Sequence, residues 1–275
     1  MSSPTPPDLV IHPRDRRFGR ETPQRRWWHG GDPYLTALYN AMSVTFPKGE
    51  AFFVESVRTF RDGVPPRLAD ETAAFTRQEV VHSREHLAFN KRVSEAGYDV
   101  SGLHRAVDAR LAHVRTKRPI ASLAATMALE HFTAILAHEL LSDPRHLAGA
   151  DPEAAAMWRW HACEEIEHKG VAHDVWLHAT RDWPRARRWF VKSFVMLFVT
   201  RNFLKDRTLG ALDLLAQDGL RGPRAWGRLF HAAFIKPGMM RRILGGWAAY
   251  FLPGFHPWNH DNRDLIATAE FELRA

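Results

Sequence analysis

The sequence predicts an all-α protein: a four-helix bundle with additional N- and C-terminal helices. Three observations carry that prediction. Apolar residues recur at i, i+3, i+4 and i+7 along several long segments, the spacing of one helix face. Period-two alternation is not sustained anywhere, so strand signals are nearly missing. Pro and Gly clusters cut the chain into lengths suited to helices.

The elements follow in order. Residues 1–25, polar and Pro-rich at the start, predict a flexible arm. A first helical run covers Tyr34 to Thr45, breaks at Pro47-Lys48-Gly49 and resumes from Glu50 to Arg61. Gly63-Val64-Pro65-Pro66 ends it. A second run spans Leu68 to Glu95 and stops at Gly97, and a third runs from Pro119 to Leu141, before Ser142-Asp143-Pro144. The fourth starts at Pro152, a residue suited to the first turn of a helix, and continues to Thr180. A fifth extends from Pro184 through Leu204, and the Gly- and Pro-interrupted remainder predicts shorter pieces. The domain reading is an arm over 1–25, a di-metal bundle over 26–180 and a helical, basic extension over 181–275 packed on the bundle.

With 275 residues, 45% of them hydrophobic, the chain can bury one sizeable core, and its spread of apolar residues excludes global disorder. Cys163 is the only cysteine, which excludes an internal disulfide and a Cys-rich metal site. Neither a secretory signal nor an uncharged apolar span of about 18 residues is seen, so the expected location is cytoplasmic. Trp189 to Thr200 comes nearest to such a span and reads as a buried core helix in preference to an interfacial one. The net charge of +7 is uneven, because from Arg181 onward 16 Lys and Arg face 8 Asp and Glu, a local +8. That surplus reads first as a solvated face, with peripheral membrane contact or an acidic partner as alternatives. No nucleic-acid-binding module is recognisable, and no nucleic acid is expected as a partner. A homodimer paired through exposed apolar stripes stays open.

The chemistry lies on the apolar stripes. Phe75, Glu79, His82, His86 and Phe89 share one face of the second run, and Trp158, His161, Glu165, His168 and Ala172 share one face of the fourth. Glu130 interrupts the apolar stripe of the third run, and Glu50 opens the resumed first run. Each helix thus aims a carboxylate into the core, two of them as Glu-x-x-His. Buried carboxylates are costly unless paired or metal-bound, and two divalent ions balance four of them. One Glu from each of two helices plus Glu-x-x-His from each of the other two is a di-metal carboxylate ligand set. The candidate metal ligands are therefore Glu50, Glu79, His82, Glu130, His161, Glu165 and His168. Glu55 is an alternate for Glu50, Glu164 for Glu165, and His86 joins as either a ligand, an orienting partner or a core histidine. His161 carries the same three readings. Glu167 is expected to be solvated, and His131 and His173 to be orienting or structural.

Several segments together resemble a bacterial family described as predicted metal-dependent hydrolases, over roughly residues 25–260. They are Arg25-Arg26-Trp27-Trp28, Phe46-Pro47-x-Gly49-Glu50-x-Phe52-Phe53, Gln78-Glu79-x-x-His82-x-x-x-His86, Leu129-Glu130-His131, Trp160-His161-x-x-Glu164-Glu165-x-Glu167-His168-Lys169 and Phe255-His256-Pro257-Trp258. The metal stripes are also similar to those of ferritin-like di-iron oxygenases, and the His161, Glu165, His168 spacing to arylamine N-oxygenases. That second resemblance implies a ferritin-like fold and an iron cofactor.

Three functions stay open. The favoured one is a di-iron oxygenase or oxidase that activates O2 on a small organic substrate by hydroxylation, N-oxygenation or desaturation. It would hold two iron ions, with manganese or a mixed Mn/Fe pair as substitutes and zinc less suited. A separate electron donor would serve it, since no Gly-rich dinucleotide fingerprint is present. The alternative is a dinuclear metal-dependent hydrolase, whose wet approach an aromatic-lined core argues against. The third is a non-enzymatic metal-binding or peripheral membrane protein. Ser43, Ser193 and Cys163 stand in no nucleophile context.

Overall fold

A computed structural model describes residues 5–20 and 23–274. In chain order the helices are α1 (Pro33–Ser43), α2 (Phe46–Arg58), α3 (Pro66–Glu95), α4 (Ser101–Arg115), α5 (Pro119–Ser142), α6 (Pro152–His168), α7 (Val171–Ala179), α8 (Arg185–Gln217), α9 (Gly222–Phe234), α10 (Met239–Arg242), α11 (Leu244–Ala249) and α12 (Arg263–Arg274). Among the described residues the strand-like pairing is confined to an isolated bridge between His29 and Ala150, so the class is all-α.

Proline opens α1, α3, α5 and α6 within the first turn, where its missing N–H has no helical partner to lose. Aspartates cap two of them. Asp32 accepts from the amides of Tyr34 and Leu35 at 2.7 and 3.0 Å, and Asp151 does the same for Glu153 and Ala154 at 3.1 and 3.3 Å. The four helices that carry the candidate ligands form the core. α2 lies against α3, α5 against α6, and these pairs meet through α2–α5 and α3–α6 contacts. Helix α5 is long and apolar enough to cross a membrane by length and composition, yet most of its apolar stretch is buried inside the protein, against α2, α6, α7 and α8. Helix α8 covers α1 and α5, and α12 lies on α6.

The chain departs from its sequence reading at five places. Pro47-Lys48-Gly49 does not break the first run: the break is at Val44-Thr45, and Pro47 sits in the first turn of α2. Helix α4 fills the stretch between Gly97 and Pro119 that no predicted run covered. The fourth run divides after His168, where Lys169 reaches out to the carbonyl of His260 and the Asn262 side chain at 2.7 and 2.6 Å. A Cβ on the next residue, Gly170, would stand 2.8 Å from the Trp258 ring, so the tail's indole packs where only glycine leaves room. Helix α8 runs past Leu204 to Gln217. Its apolar start is not a core helix: Phe190 and Phe194 are each 63% exposed.

The expected arm forms no helix, but its described residues are strapped down. Ile11 and Phe18 are buried in the core. The amide of Arg14 donates to Glu164 at 2.9 Å, and its guanidinium reaches Glu167 at 2.6 Å. The amides of Phe18 and Gly19 donate to Glu85 and Glu153 at 3.0 and 2.9 Å. Residues 1–4 and 21–22 of that arm lie outside the described residues.

Candidate metal centre

Helix α2 delivers Glu50, α3 delivers Glu79 and His82, α5 delivers Glu130, and α6 delivers His161, Glu165 and His168. All seven are buried, at 4% exposure or less. Candidate ligand atoms lie within 4.8 Å of one another in each of four trios of buried residues: Glu50–His86–His161, Glu50–Glu79–His82, His82–His161–Glu165 and Glu79–Glu165–His168. His168 Nε2 stands 3.3 Å from Glu79, 3.4 Å from Glu130 and 3.5 Å from Glu165.

The hydrogen bonds around the cluster fix where each imidazole keeps its proton. The Gln78 amide donates to Glu167 at 2.8 Å, which leaves its oxygen to accept from His168 Nδ1 at 2.9 Å. The lone pair on His168 Nε2 then points at three carboxylates. His82 donates Nε2–H to Glu164 at 3.0 Å, so its lone-pair nitrogen, Nδ1, faces Glu165 at 3.7 Å. A longer relay sets His161. Asn90 donates to the Ser43 carbonyl at 3.0 Å, and its oxygen accepts the Ser43 hydroxyl at 2.7 Å. Ser43 Oγ therefore accepts from His86 Nδ1 at 2.8 Å, and His86 Nε2 accepts from His161 Nδ1 at 2.5 Å. His161 Nε2 is left as a lone pair 2.7 Å from a Glu165 oxygen. Two acceptors at that distance require a cation or a shared proton between them.

Burial works on the same groups. It pushes the carboxyls of Glu50, Glu79 and Glu130 well above the usual range, with neighbouring carboxylates adding to the effect at each, although the Ser83 hydroxyl, 2.7 Å from Glu50, opposes it there. Burial likewise holds His82 and His86 well below the usual histidine value, with His161 contributing, so both stay neutral and fit to ligate. Among the described residues, both oxygens of Glu79 and of Glu130, one each of Glu50 and Glu165, His82 Nδ1 and His168 Nε2 have no hydrogen-bond partner. Buried polar atoms are rarely left so. Orphaned oxygens beside imidazole lone pairs are the donor set of a divalent cation centre, and the residues present fit one.

The other candidates fall outside this cluster or serve it indirectly. Glu55 is not brought to the site: it is exposed on α2 and pairs with Arg115 at 2.6 Å. Glu164 turns away from the centre to hold His82 and accept from Arg14. His86 stands within reach of the cluster, its candidate ligand atom within 4.8 Å of those of Glu50 and His161, and in the hydrogen-bonded arrangement it orients His161 at 2.5 Å. Glu167 is not solvated: it is 3% exposed and accepts from Arg14, His12 and Gln78. His131 bonds the Gly246 carbonyl at 2.9 Å, as a core histidine. His173 packs beside His256, which bonds Asp174 at 3.0 Å. Sequence reasoning assigned no role to Gln78, Ser43, Asn90 or Arg14. Asn90 carried a signal, because it stands one turn beyond His86 on an apolar stripe.

A cavity of about 710 Å3 opens onto the cluster, with Glu50, His161 and Glu165 at its wall. Its rim includes the exposed residues Ala106, His113 and Phe198. The centre therefore has the open approach that its aromatic surroundings argued against.

A family described as "Predicted metal-dependent hydrolase" matches residues 12–261. That match overturns the expected oxygenase or oxidase, and with it the oxidoreductase class, in favour of the hydrolase alternative. No curated protein and no solved structure matches the chain, so the ferritin-like and N-oxygenase likenesses go no further than ligand spacing. The match spans every helix that lines the metal centre and reaches through the Phe255-His256-Pro257-Trp258 segment, and by it the chain belongs to the family of predicted metal-dependent hydrolases.

Proposed function

We propose that the chain is a dinuclear metal-dependent hydrolase whose ions sit among Glu50, Glu79, His82, Glu130, His161, Glu165 and His168. One observation carries this reading: imidazole lone pairs and orphaned carboxylate oxygens converge in a buried cluster that borders an open cavity. Four carboxylates balance two divalent ions, and the excess of oxygen over nitrogen donors suits iron or manganese, with zinc also compatible. When bound, such ions supply Lewis acidity that acidifies water and polarises the bond to be broken. Gln78, Glu164 and the His86–Ser43–Asn90 relay hold His168, His82 and His161 in the tautomers that ligate. Glu50, His161 and Glu165 meet the substrate, because they face the cavity.

The test is hydrolysis by chelator-stripped protein before and after reconstitution with Fe(II), Mn(II) or Zn(II), on a panel of carboxylic and phosphate esters. Cleavage restored by metal and lost in Glu79→Gln supports the reading. Metal-loaded protein that cleaves no ester on the panel counts against it.

A further inference from the structure

The cavity beside the centre is elongated and apolar. Along α4 its wall runs from Gly102 to Val114, about 18 Å at the helical rise of ~1.5 Å per residue. The opposite wall is Ala121, Ala125 and Leu129 of α5, one turn apart, where two alanines keep the space open. Several charges on the wall are already engaged, while Lys117 is exposed and Arg207 Nε has no hydrogen-bond partner. Arg110 and Asp206 hold each other at 2.9 Å, and Arg207 is tied to the Ala41 carbonyl and to Thr45. Beyond Lys117 and Arg207 Nε a polar substrate body would find few partners there, because most of the wall is apolar side chain. At the rim, Phe194 and Phe198 of α8 are 63% and 44% exposed, an aromatic approach for an apolar chain. The volume falls in the range of about 300–1,000 Å3 that ligand pockets occupy.

We propose that the substrate is a long-chain acyl ester, its tail in this cavity and its carbonyl at the Glu50–His161–Glu165 end. This rests on the hydrolase reading above. In the reaction the oxygen of water joins the acyl carbon, the bond from that carbon to the ester oxygen breaks, and a proton passes to the leaving alcohol. The products are a fatty acid and an alcohol, and no oxidant or reductant is needed.

The experiment is displacement of a fluorescent fatty acid from the metal-loaded protein by octanoate, dodecanoate and hexadecanoate, alongside hydrolysis of the matching acyl esters. Affinity is expected to rise with chain length by up to about fourfold per buried methylene. Ala125→Trp and, from the facing wall, Val107→Trp fill the cavity without touching a ligand. Each is expected to weaken hexadecanoate by about tenfold or more while metal content stays at the wild-type level. Affinity that ignores chain length in the wild type overturns the proposal, as do metal-loaded variants that bind hexadecanoate like wild type. The wild-type series decides the matter if the variants do not fold. Metal-dependent cleavage of an acetyl ester with no gain for longer acyl chains keeps the hydrolase and removes the acyl tail. Length-dependent binding with no ester cleaved under any metal removes the hydrolase and keeps the cavity's occupant.

Discussion

His82, His161 and His168 reach the centre with their protons committed elsewhere, and that is what makes a cluster of buried carboxylates a cation site. Removing a supporting group should therefore act through the metal. Gln78→Ala frees His168 to rotate and is expected to lower metal affinity about 10–100-fold, read by competition with a chelating dye. Glu55→Ala touches a surface pair and should leave metal content unchanged and stability within about 1 kcal/mol. The raised carboxyls set a pH dependence. Glu50, Glu79 and Glu130 have folded-state values above their unfolded ones, so they favour the metal-free fold at low pH and cease to do so as pH rises through the folded values. Cations that displace those protons bind more tightly as pH rises. Calorimetry should find proton release on binding, and the rise in Tm on adding metal should be larger near about pH 8 than near about pH 6. A metal effect on Tm that shrinks as pH rises would contradict this. The seven inward residues proposed as ligands could be picked out because i, i+3, i+4 spacing puts a polar or charged residue on an apolar stripe. The groups that orient them were harder to read. Gln78 and Glu164 sit beside a ligand in sequence, off the stripe, and come into play only when α3 and α6 meet.

At the scale of elements, the helix positions were legible wherever proline and apolar periodicity coincided, as at Pro119 and Pro152. Helix α4 was missed although Leu103, Val107, Leu111 and Val114 follow helical spacing. It buries little, and its long polar face masks the pattern. The split between α6 and α7 had only a weak local signal, Gly170, because the Trp258 ring that packs on that glycine arrives from the far end of the chain. The arm shows the same limit. Its composition reads as loose, while its order comes from Glu164 and Glu167, carboxyl groups that would be costly to bury without partners; burial pushes Glu164 up to about 8 even beside Arg14. Arg14→Ala leaves those carboxylates without their cation and is expected to cost about 3 kcal/mol, read by denaturant unfolding. The same variant should make residues 5–20 a preferred site of limited proteolysis. Unchanged stability and an unchanged cleavage pattern would mean that the arm is not fastened through Arg14.

Across the whole molecule, the bundle that holds the centre faces an exterior of unusual apolarity on α8 and α9. Phe190, Phe194 and Leu197 stand out from α8 near the exposed Arg187 and Arg201, and Trp226 and Phe230 stand out from α9 beside Arg224 and Arg228. Exposed aromatic residues among arginines match an anionic lipid surface. The protein is expected to sediment with phosphatidylserine vesicles at low salt, to release at about 0.5 M salt, and to bind less as Phe190→Ser/Leu197→Ser. No sedimentation at low salt would leave that surface without a lipid role. The charge surplus of the last third was legible, but its pairing with exposed aromatic side chains was not, since an apolar run looks the same whether it is covered or bare. The central claim is the metal pair itself. It is tested most directly by the metal content of the purified, dialysed protein, measured by mass spectrometry for wild type, Glu79→Gln and Glu165→Gln. The account predicts about two divalent ions per chain in wild type, lost together in both variants. No stoichiometric metal in the folded wild-type protein would contradict it.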